Sequence, residues 1–178
     1  MNRHVLPLLL LAAACGPYRY VKKADANPLA GQKVLMIDSL LFQAAQVDGL
    51  SEESWIAGQN DTWKAEWPSD QARASKSFVA ALKGNLERDG FTLTPQANPQ
   101  GATLILKPRV TNLETGGWNP TYLTVAVKVV DSNGNAVEEI STKVKVKSNF
   151  DKFEDRLERA AVLAGENVAG WVKERAAP

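Results

Sequence analysis

The fold is decided by residues 121–146, which read TYLTVAVKVVDSNGNAVEEISTKVKV. Apolar and polar residues alternate on both sides of the segment 131–135, and a period of two is typical of β-strands. Asn133-Gly134 suits the positive φ angles of a tight hairpin turn. The stretch therefore predicts two antiparallel strands. On the second strand, the alternation points Ile140, Thr142, Val144 and Val146 inward and Lys143, Lys145 and Lys147 outward.

Further elements are predicted on both sides of this hairpin. The same alternation predicts a strand over 102–114, and short apolar runs predict strands at 33–38 and 91–94. Apolar residues at helical spacing predict a helix over 69–89, ended by Gly90, and a final helix with an apolar stripe from Phe150 to Val172. Arg156 falls on the charged face of that final helix. We therefore expect an α+β two-layer sandwich, in which two long amphipathic helices cover one face of a mainly antiparallel sheet of four to five strands.

The chain begins with a pattern typical of export. A positive start is followed by about ten apolar residues and three alanines, the order found in secretory signal peptides, and the apolar run is too short to span a bilayer. The sequence predicts a signal peptide over 1–14, a lipid-anchored Cys15 with a linker over 15–32, and one periplasmic domain over 33–178. That domain carries a tryptophan-rich helical insert at about 43–67. The alternative is an ordinary secretory signal, with Cys15 removed or left as a free thiol.

Three segments resemble small bacterial envelope lipoproteins. They are the lipobox-like Ala12-Ala13-Ala14-Cys15, the helix end LERDGF at 86–91, and the hairpin VVDSNG at 129–134. The group includes the periplasmic domain of the curli-secretion lipoprotein and the lipopolysaccharide-assembly lipoprotein, and most members are uncharacterised. The resemblance implies acylation of Cys15. It also implies the outer membrane, facing the periplasm, because Gly16 rather than aspartate follows the cysteine.

Composition excludes several kinds of chemistry. Removal of residues 1–14 takes away His4, the only histidine, and Arg3, one of 21 basic side chains, which leaves 20 against 20 acidic ones. A formally neutral chain lacks the basic excess typical of nucleic-acid binding. Without histidine or a free thiol, imidazole-dependent nucleophiles and zinc sites are excluded, so we expect no metal and no cofactor. Carboxylate-pair chemistry, as in glycosidases, stays open.

Tryptophans provide the candidate contact residues. Trp55, Trp63 and Trp67 in the insert, with Trp118 in a Gly-Gly-Trp-Asn-Pro turn, would suit a glycan or a partner protein, because tryptophan is enriched at binding hot spots. The alternative for the insert tryptophans is a packing cluster beneath a long connection. Trp118 is the strongest single candidate, since a Gly/Pro turn gives it little to pack against.

These observations lead to three hypotheses about function. The first is a non-enzymatic accessory or scaffold lipoprotein of a cell-envelope assembly, bound to the membrane through Cys15 and to an envelope protein. The second is a binding module for peptidoglycan or lipid that uses the tryptophan-rich insert. The third is a carboxylate-dependent glycan hydrolase.

Overall fold

The computed structural model describes residues 16–94, 104–148 and 151–177. Within these residues the strands are β1 (Tyr18–Lys22), β2 (Val34–Ile37), β3 (Gln46–Val47), β4 (Leu50–Ser51), β5 (Thr92–Thr94), β6 (Leu104–Glu114), β7 (Thr121–Asp131) and β8 (Ala136–Val146). The helices are α1 (Glu52–Ala57), α2 (Asp61–Glu87) and α3 (Phe153–Ala176). Neighbouring strands of the sheet follow the order β1-β8-β7-β6-β2-β5, and β3 joins β6 and β4 beside this row.

The predicted hairpin is confirmed. β7 and β8 pair antiparallel, with Val127 opposite Ile140. The Asp131 side chain accepts hydrogen bonds from the backbone N–H groups of Asn133 and Asn135, and Gly134 adopts a φ of +82°. Only a residue without a Cβ takes that angle at little cost. These hydrogen bonds hold the pKa of Asp131 below its usual value, because they favour the ionised carboxylate.

The predicted sandwich of four to five mainly antiparallel strands with two long helices is wrong. The described residues form an eight-stranded mixed sheet with three helices. β2 runs parallel to both β5 and β6, and β3 runs parallel to β6. Parallel neighbours need a crossover connection, which α1 and α2 supply between β2 and β5. Alternation along one strand does not reveal which distant strand it joins.

Residues 15–32 were expected to be a linker, and the structure places part of them in the domain. β1 pairs antiparallel with β8, with Tyr18 opposite Thr142. Leu29 is fully buried, and the Asn27 side chain donates to the carbonyl of Arg175 at 2.5 Å. The Tyr18 hydroxyl donates to the Glu174 carboxylate. The pKa of Tyr18 is raised, mainly by burial and secondly by this hydrogen bond. The start of the described chain is therefore attached to the end of α3.

Helix α2 begins earlier than the sequence suggested. The Asn60 side chain accepts from the backbone N–H of Trp63, so the helix starts at Asp61 rather than near residue 69 and continues through Pro68. Helix α1 starts after Ser51, whose hydroxyl accepts from the Ser54 N–H. The insert at about 43–67 therefore consists of β3, β4, α1 and the first turns of α2.

The two long helices cross closely. A Cβ added to Gly165 of α3 would lie 2.6 Å from the carbonyl oxygen of Phe78 in α2, so this crossing requires glycine. The helix layer and one face of the sheet enclose the core, where Leu82, Val127 and Trp171 are fully buried. The other face of the sheet, called the open face below, carries exposed cations that include Lys107, Arg109, Lys143 and Lys145.

Candidate interaction surface

The connection between β6 and β7 is called the Trp118 loop, residues 115–120. Gly116 adopts a φ of +81°, and a Cβ there would lie 2.4 Å from the carbonyl oxygen of Asn119. Gly117 also has a positive φ, of +50°, but its Cβ would meet nothing within 4 Å. The tight return of the loop therefore depends on Gly116, and the backbone N–H of Asn119 closes it on the Gly116 carbonyl at 2.5 Å.

The first residue of the Trp118 loop is held by the turn between β3 and β4. The Asp48 carboxylate accepts from the backbone N–H of Thr115 at 2.8 Å and from its hydroxyl at 2.6 Å. At the far end, the Thr121 hydroxyl donates to the Thr115 carbonyl at 3.0 Å. Hydrogen bonds to a carboxylate are stronger than neutral ones. Both ends of the loop are thus fixed to the sheet.

Arg156 holds the loop from the helix side. Its guanidinium Nη1 donates to the carbonyl of Gly117 at 2.8 Å and to that of Asn119 at 3.3 Å, although the residue is only 4% exposed. No carboxylate among the described residues lies within ion-pair distance of it. Burying a cation without a counter-ion costs free energy unless hydrogen bonds offset it. This cost in free energy falls on Arg156, the residue whose hydrogen bonds fix the loop.

Trp118 lies between Gly117 and Asn119, whose carbonyls accept the hydrogen bonds from Arg156. Its side chain is 82% exposed, the largest exposed fraction of any large apolar side chain in the described residues. A cavity of about 200 Å³ lies beside it, lined also by Gly117, Ser148 and Asp151. An exposed indole on a fixed loop loses little conformational entropy on binding, as a contact residue should.

A second groove lies near the Trp118 cavity. It has a volume of about 370 Å³ between the end of β8 and α3, and it is lined by the apolar Val146, Val162 and Leu163 and by the charged Lys145, Lys147, Arg159 and Glu166. The ion pair between Arg159 and Asp151, 2.5 Å long, joins this groove to the Trp118 cavity. Trp118, Lys147, Asp151, Arg159 and Leu163 are together called the Trp118 surface. It combines an aromatic anchor with an apolar base and a charged rim.

The insert tryptophans occupy a different environment. Trp55 and Trp67 are 6% and 4% exposed, and Trp63 is half-buried against the core. Their rings pack edge-to-face or tilted, with centroids 5.5 Å apart for Trp55–Trp63 and 5.2 Å for Trp55–Trp67. Trp63 also contacts Phe153 at the start of α3. The cluster packs α1, α2 and α3 against one another. It corresponds to the alternative stated above, in which the insert tryptophans form a packing cluster.

The acidic residues near the helix crossing form a structural network. Arg73 lies 3.5 Å from Asp70 and 3.6 Å from Glu158, which also accepts from the Ser77 hydroxyl at 2.8 Å. Burial raises the pKa of Asp70, and Arg73 opposes that shift. These contacts tie α2 to α3. No group of three His, Cys, Asp or Glu in the described parts of the chain is placed to hold a metal ion.

Cys15 and the predicted signal peptide lie outside the described residues. Gly16, the next residue, leads into β1, which pairs with residues 139–142 in the middle of β8 and begins at its Thr142 end. Thr121, which follows the Trp118 loop, lies opposite Val146, the last residue of β8. The start of the described chain and the Trp118 surface therefore share one end of the sheet. No helix within 16–94, 104–148 or 151–177 is long and apolar enough to cross a membrane.

Comparisons with known proteins were made for the whole chain. No protein-family model matches it, and no curated protein matches it. Among solved structures, it is similar to a PelC dodecamer from Paraburkholderia phytofirmans, with a TM-score of 0.46 and 14% identity over 84% of this chain and 96% of the other.

Two further solved structures are similar to the chain. An uncharacterized protein has a TM-score of 0.48 and 13% identity, covering 86% of this chain and 97% of its own. A DUF330 protein from Xanthomonas campestris has a TM-score of 0.44 and 12% identity, covering 86% and 90%. Likeness at this level assigns no function.

Proposed function

We propose that this protein is a lipid-anchored, periplasm-facing lipoprotein of the outer membrane. Its domain acts without catalysis, as an accessory or scaffold that holds an envelope protein partner at the Trp118 surface. The observation that carries the docking proposal is Trp118 itself, 82% exposed on a loop that a buried arginine fixes. The anchor is supported by the export-like start of the sequence and by Cys15 at its end.

The arrangement of the sheet supports a partner close to the membrane. Tyr18 pairs with Thr142, and Thr121 pairs with Val146 only four residues further along β8. At about 3.4 Å per residue, the start of β1 and the end of the Trp118 loop differ by roughly 14 Å along the strand direction. An acylated Cys15, three residues before Tyr18, would therefore bring the Trp118 surface towards the bilayer.

The rim chemistry suggests the kind of partner surface. Three of the four charged residues that line the groove are cations, Lys145, Lys147 and Arg159 against Glu166, so a complementary protein presents an apolar side chain flanked by carboxylates. The alternative module based on Trp55, Trp63 and Trp67 has no such support, because two of those rings are buried.

Crosslinked pull-down from cell envelopes tests the proposal. Wild type is compared with Trp118→Ala, with Cys15→Ser, and with Leu41→Ala as a matched control, since Leu41 is also apolar and 54% exposed. Loss of a tryptophan hot spot costs about 2 kcal/mol or more, so the recovery of the partner should fall about thirtyfold in Trp118→Ala and stay unchanged in Leu41→Ala. Equal recovery in Trp118→Ala and wild type would refute the docking surface.

The anchor has its own readout in the same samples. Acylation of Cys15 predicts an intact mass above that of the mature polypeptide and loss of membrane fractionation in Cys15→Ser. A wild-type mass equal to that of the unmodified polypeptide would refute the anchor while leaving the Trp118 result valid.

A further inference from the structure

The open face of the sheet carries a second depression, separate from the Trp118 surface. It has a volume of about 610 Å³, and its lining includes three hydroxyl-bearing residues from three strands, Thr111, Thr124 and Ser141. The Thr111 hydroxyl donates to the Thr124 carbonyl at 3.3 Å. Two cations, Arg19 of β1 and Lys143 of β8, border it, and Gly16 forms part of its wall. We call it the Gly16 cavity.

The two cations of the Gly16 cavity differ in their ion pairing. Arg19 is exposed and makes no ion pair with any residue that the structure describes. Lys143, which lines the cavity, pairs with Glu114 at 2.9 Å and lies 4.6 Å from the centre of the Tyr122 ring. An ammonium has three N–H donors, so Lys143 can donate to an anion beside this ion pair. A guanidinium fork beside hydroxyl donors matches the oxygens of a phosphate group.

The charge around the cavity adds to this preference. Lys145 also lies over the Tyr122 ring, at 5.6 Å, and Arg109 pairs with Glu139 at 3.7 Å. Cations exceed carboxylates on this face, although the mature chain is formally neutral. Positive charge is therefore concentrated on this face of a formally neutral chain. It attracts anions over a distance of about one Debye length.

The position of the cavity identifies the source of the phosphate. Gly16 lines the cavity and is bonded to Cys15, and one residue spans at most about 3.6 Å. The Thr142 hydroxyl donates to the Pro17 carbonyl at 2.6 Å, which fixes this segment on the sheet. Acyl chains on Cys15 would thus enter the bilayer within a residue of the cavity, at the depth of the lipid headgroups.

We propose that the Gly16 cavity binds the phosphate of an anionic phospholipid headgroup in the membrane that holds the protein. This proposal rests on the lipid anchor proposed above. Arg19 and Lys143 contact the phosphate, and the hydroxyls of Thr124 and Ser141 donate to it. The site orients the domain on the bilayer, which an acyl chain on a flexible tether does not do.

Native mass spectrometry of the full processed chain in detergent tests this site. Phosphatidylglycerol, phosphatidylcholine and glycerol 3-phosphate are added in separate titrations to wild type, Arg19→Gln, Lys143→Gln and Lys64→Gln. Lys64 is an exposed cation on α2, so its variant has the same net charge but an intact cavity. The intact mass reports acylation of Cys15 on the same sample, so failure of the anchor is read separately from failure of the site.

The expected result is preferential binding of phosphatidylglycerol. Removal of one cation near an anionic headgroup weakens binding about fivefold. Arg19→Gln and Lys143→Gln should therefore each bind phosphatidylglycerol about fivefold more weakly than wild type. Lys64→Gln should bind it as wild type does. Equal binding of phosphatidylglycerol and phosphatidylcholine would overturn the proposal. So would an equal loss in Lys64→Gln, or glycerol 3-phosphate binding as tightly as the lipid, which would indicate a soluble phosphate ligand.

Discussion

The guanidinium of Arg156, buried in the first turns of α3, donates a 2.8 Å hydrogen bond to the backbone carbonyl of Gly117. Gly117 directly precedes the most exposed large apolar side chain of the described residues. A group from the helix layer thus fixes a loop between two strands, and the backbone on both sides of Trp118 is held by a buried side chain.

Replacing Arg156 tests this relationship. Arg156→Met keeps a long side chain but removes the guanidinium. The carbonyls of Gly117 and Asn119 then lose the hydrogen bonds that they accept from Arg156. The expected loss is about 1–3 kcal/mol in the free energy of unfolding, measured in urea. Amide hydrogen exchange at Asn119 should also accelerate. An unchanged exchange rate at Asn119 would show that the loop does not depend on Arg156.

The two glycines of the Trp118 loop make a matched pair. Gly117→Ala places a Cβ in open space at a positive φ and should cost about 1–2 kcal/mol. Gly116→Ala carries a similar backbone cost and also a 2.4 Å clash with the Asn119 carbonyl, so it should lower the free energy of unfolding further. Thermal and urea unfolding of both variants measure the difference. Equal losses would mean that the loop relaxes around the added methyl group.

A second pair of glycines tests the helix crossing. Gly165→Ala puts a Cβ 2.6 Å from the Phe78 carbonyl and should separate α2 from α3, which lowers the melting temperature. Gly170, on the same helix, has open space around it, so Gly170→Ala should stabilise the protein by about 0.5–1 kcal/mol through higher helix propensity. The prediction fails if both variants shift the melting temperature in the same direction.

Asp70 predicts a dependence of stability on pH. Burial raises its pKa above the ordinary 3.8, so the folded state binds this proton more tightly than the unfolded state. Its contribution is fully present below about pH 3.8 and is lost as pH rises through the raised pKa. Asp70→Asn should therefore be more stable than wild type at pH 7 and equal to it at pH 3. Asp25→Asn, at an exposed aspartate, is the control and should differ little at pH 7.

Local patterns predicted the local parts of this fold. The β7–β8 hairpin follows from alternation on both sides of a short polar turn. The parallel pairing of β2 with β5 and β6 joins segments far apart in sequence, and nothing in their own residues specifies it. Tyr18–Lys22 was predicted as linker for the same reason, since its partner strand is more than a hundred residues away.

The candidate surface shows a similar division. The glycine-rich turn made Trp118 conspicuous in the sequence, and the structure exposes that side chain. Arg156 was missed because it lies among charged residues of an amphipathic helix, and its burial depends on a loop that folds over it. Glu138 is a parallel case: a fully buried carboxylate on β8, it pairs at 2.9 Å with Arg175 at the far end of α3.

Site-specific photocrosslinking in intact cells tests the docking surface most directly. A photoreactive residue at Leu163, which is 40% exposed in the groove that the Asp151–Arg159 ion pair joins to the Trp118 cavity, is compared with one at Leu41, in the presence of Trp118 or of Trp118→Ala. We expect a discrete protein adduct from position 163 that disappears in Trp118→Ala, and none from position 41. An adduct at 163 that persists unchanged in Trp118→Ala, or one that forms at 41 alone, would contradict the assignment of Trp118 as the contact residue.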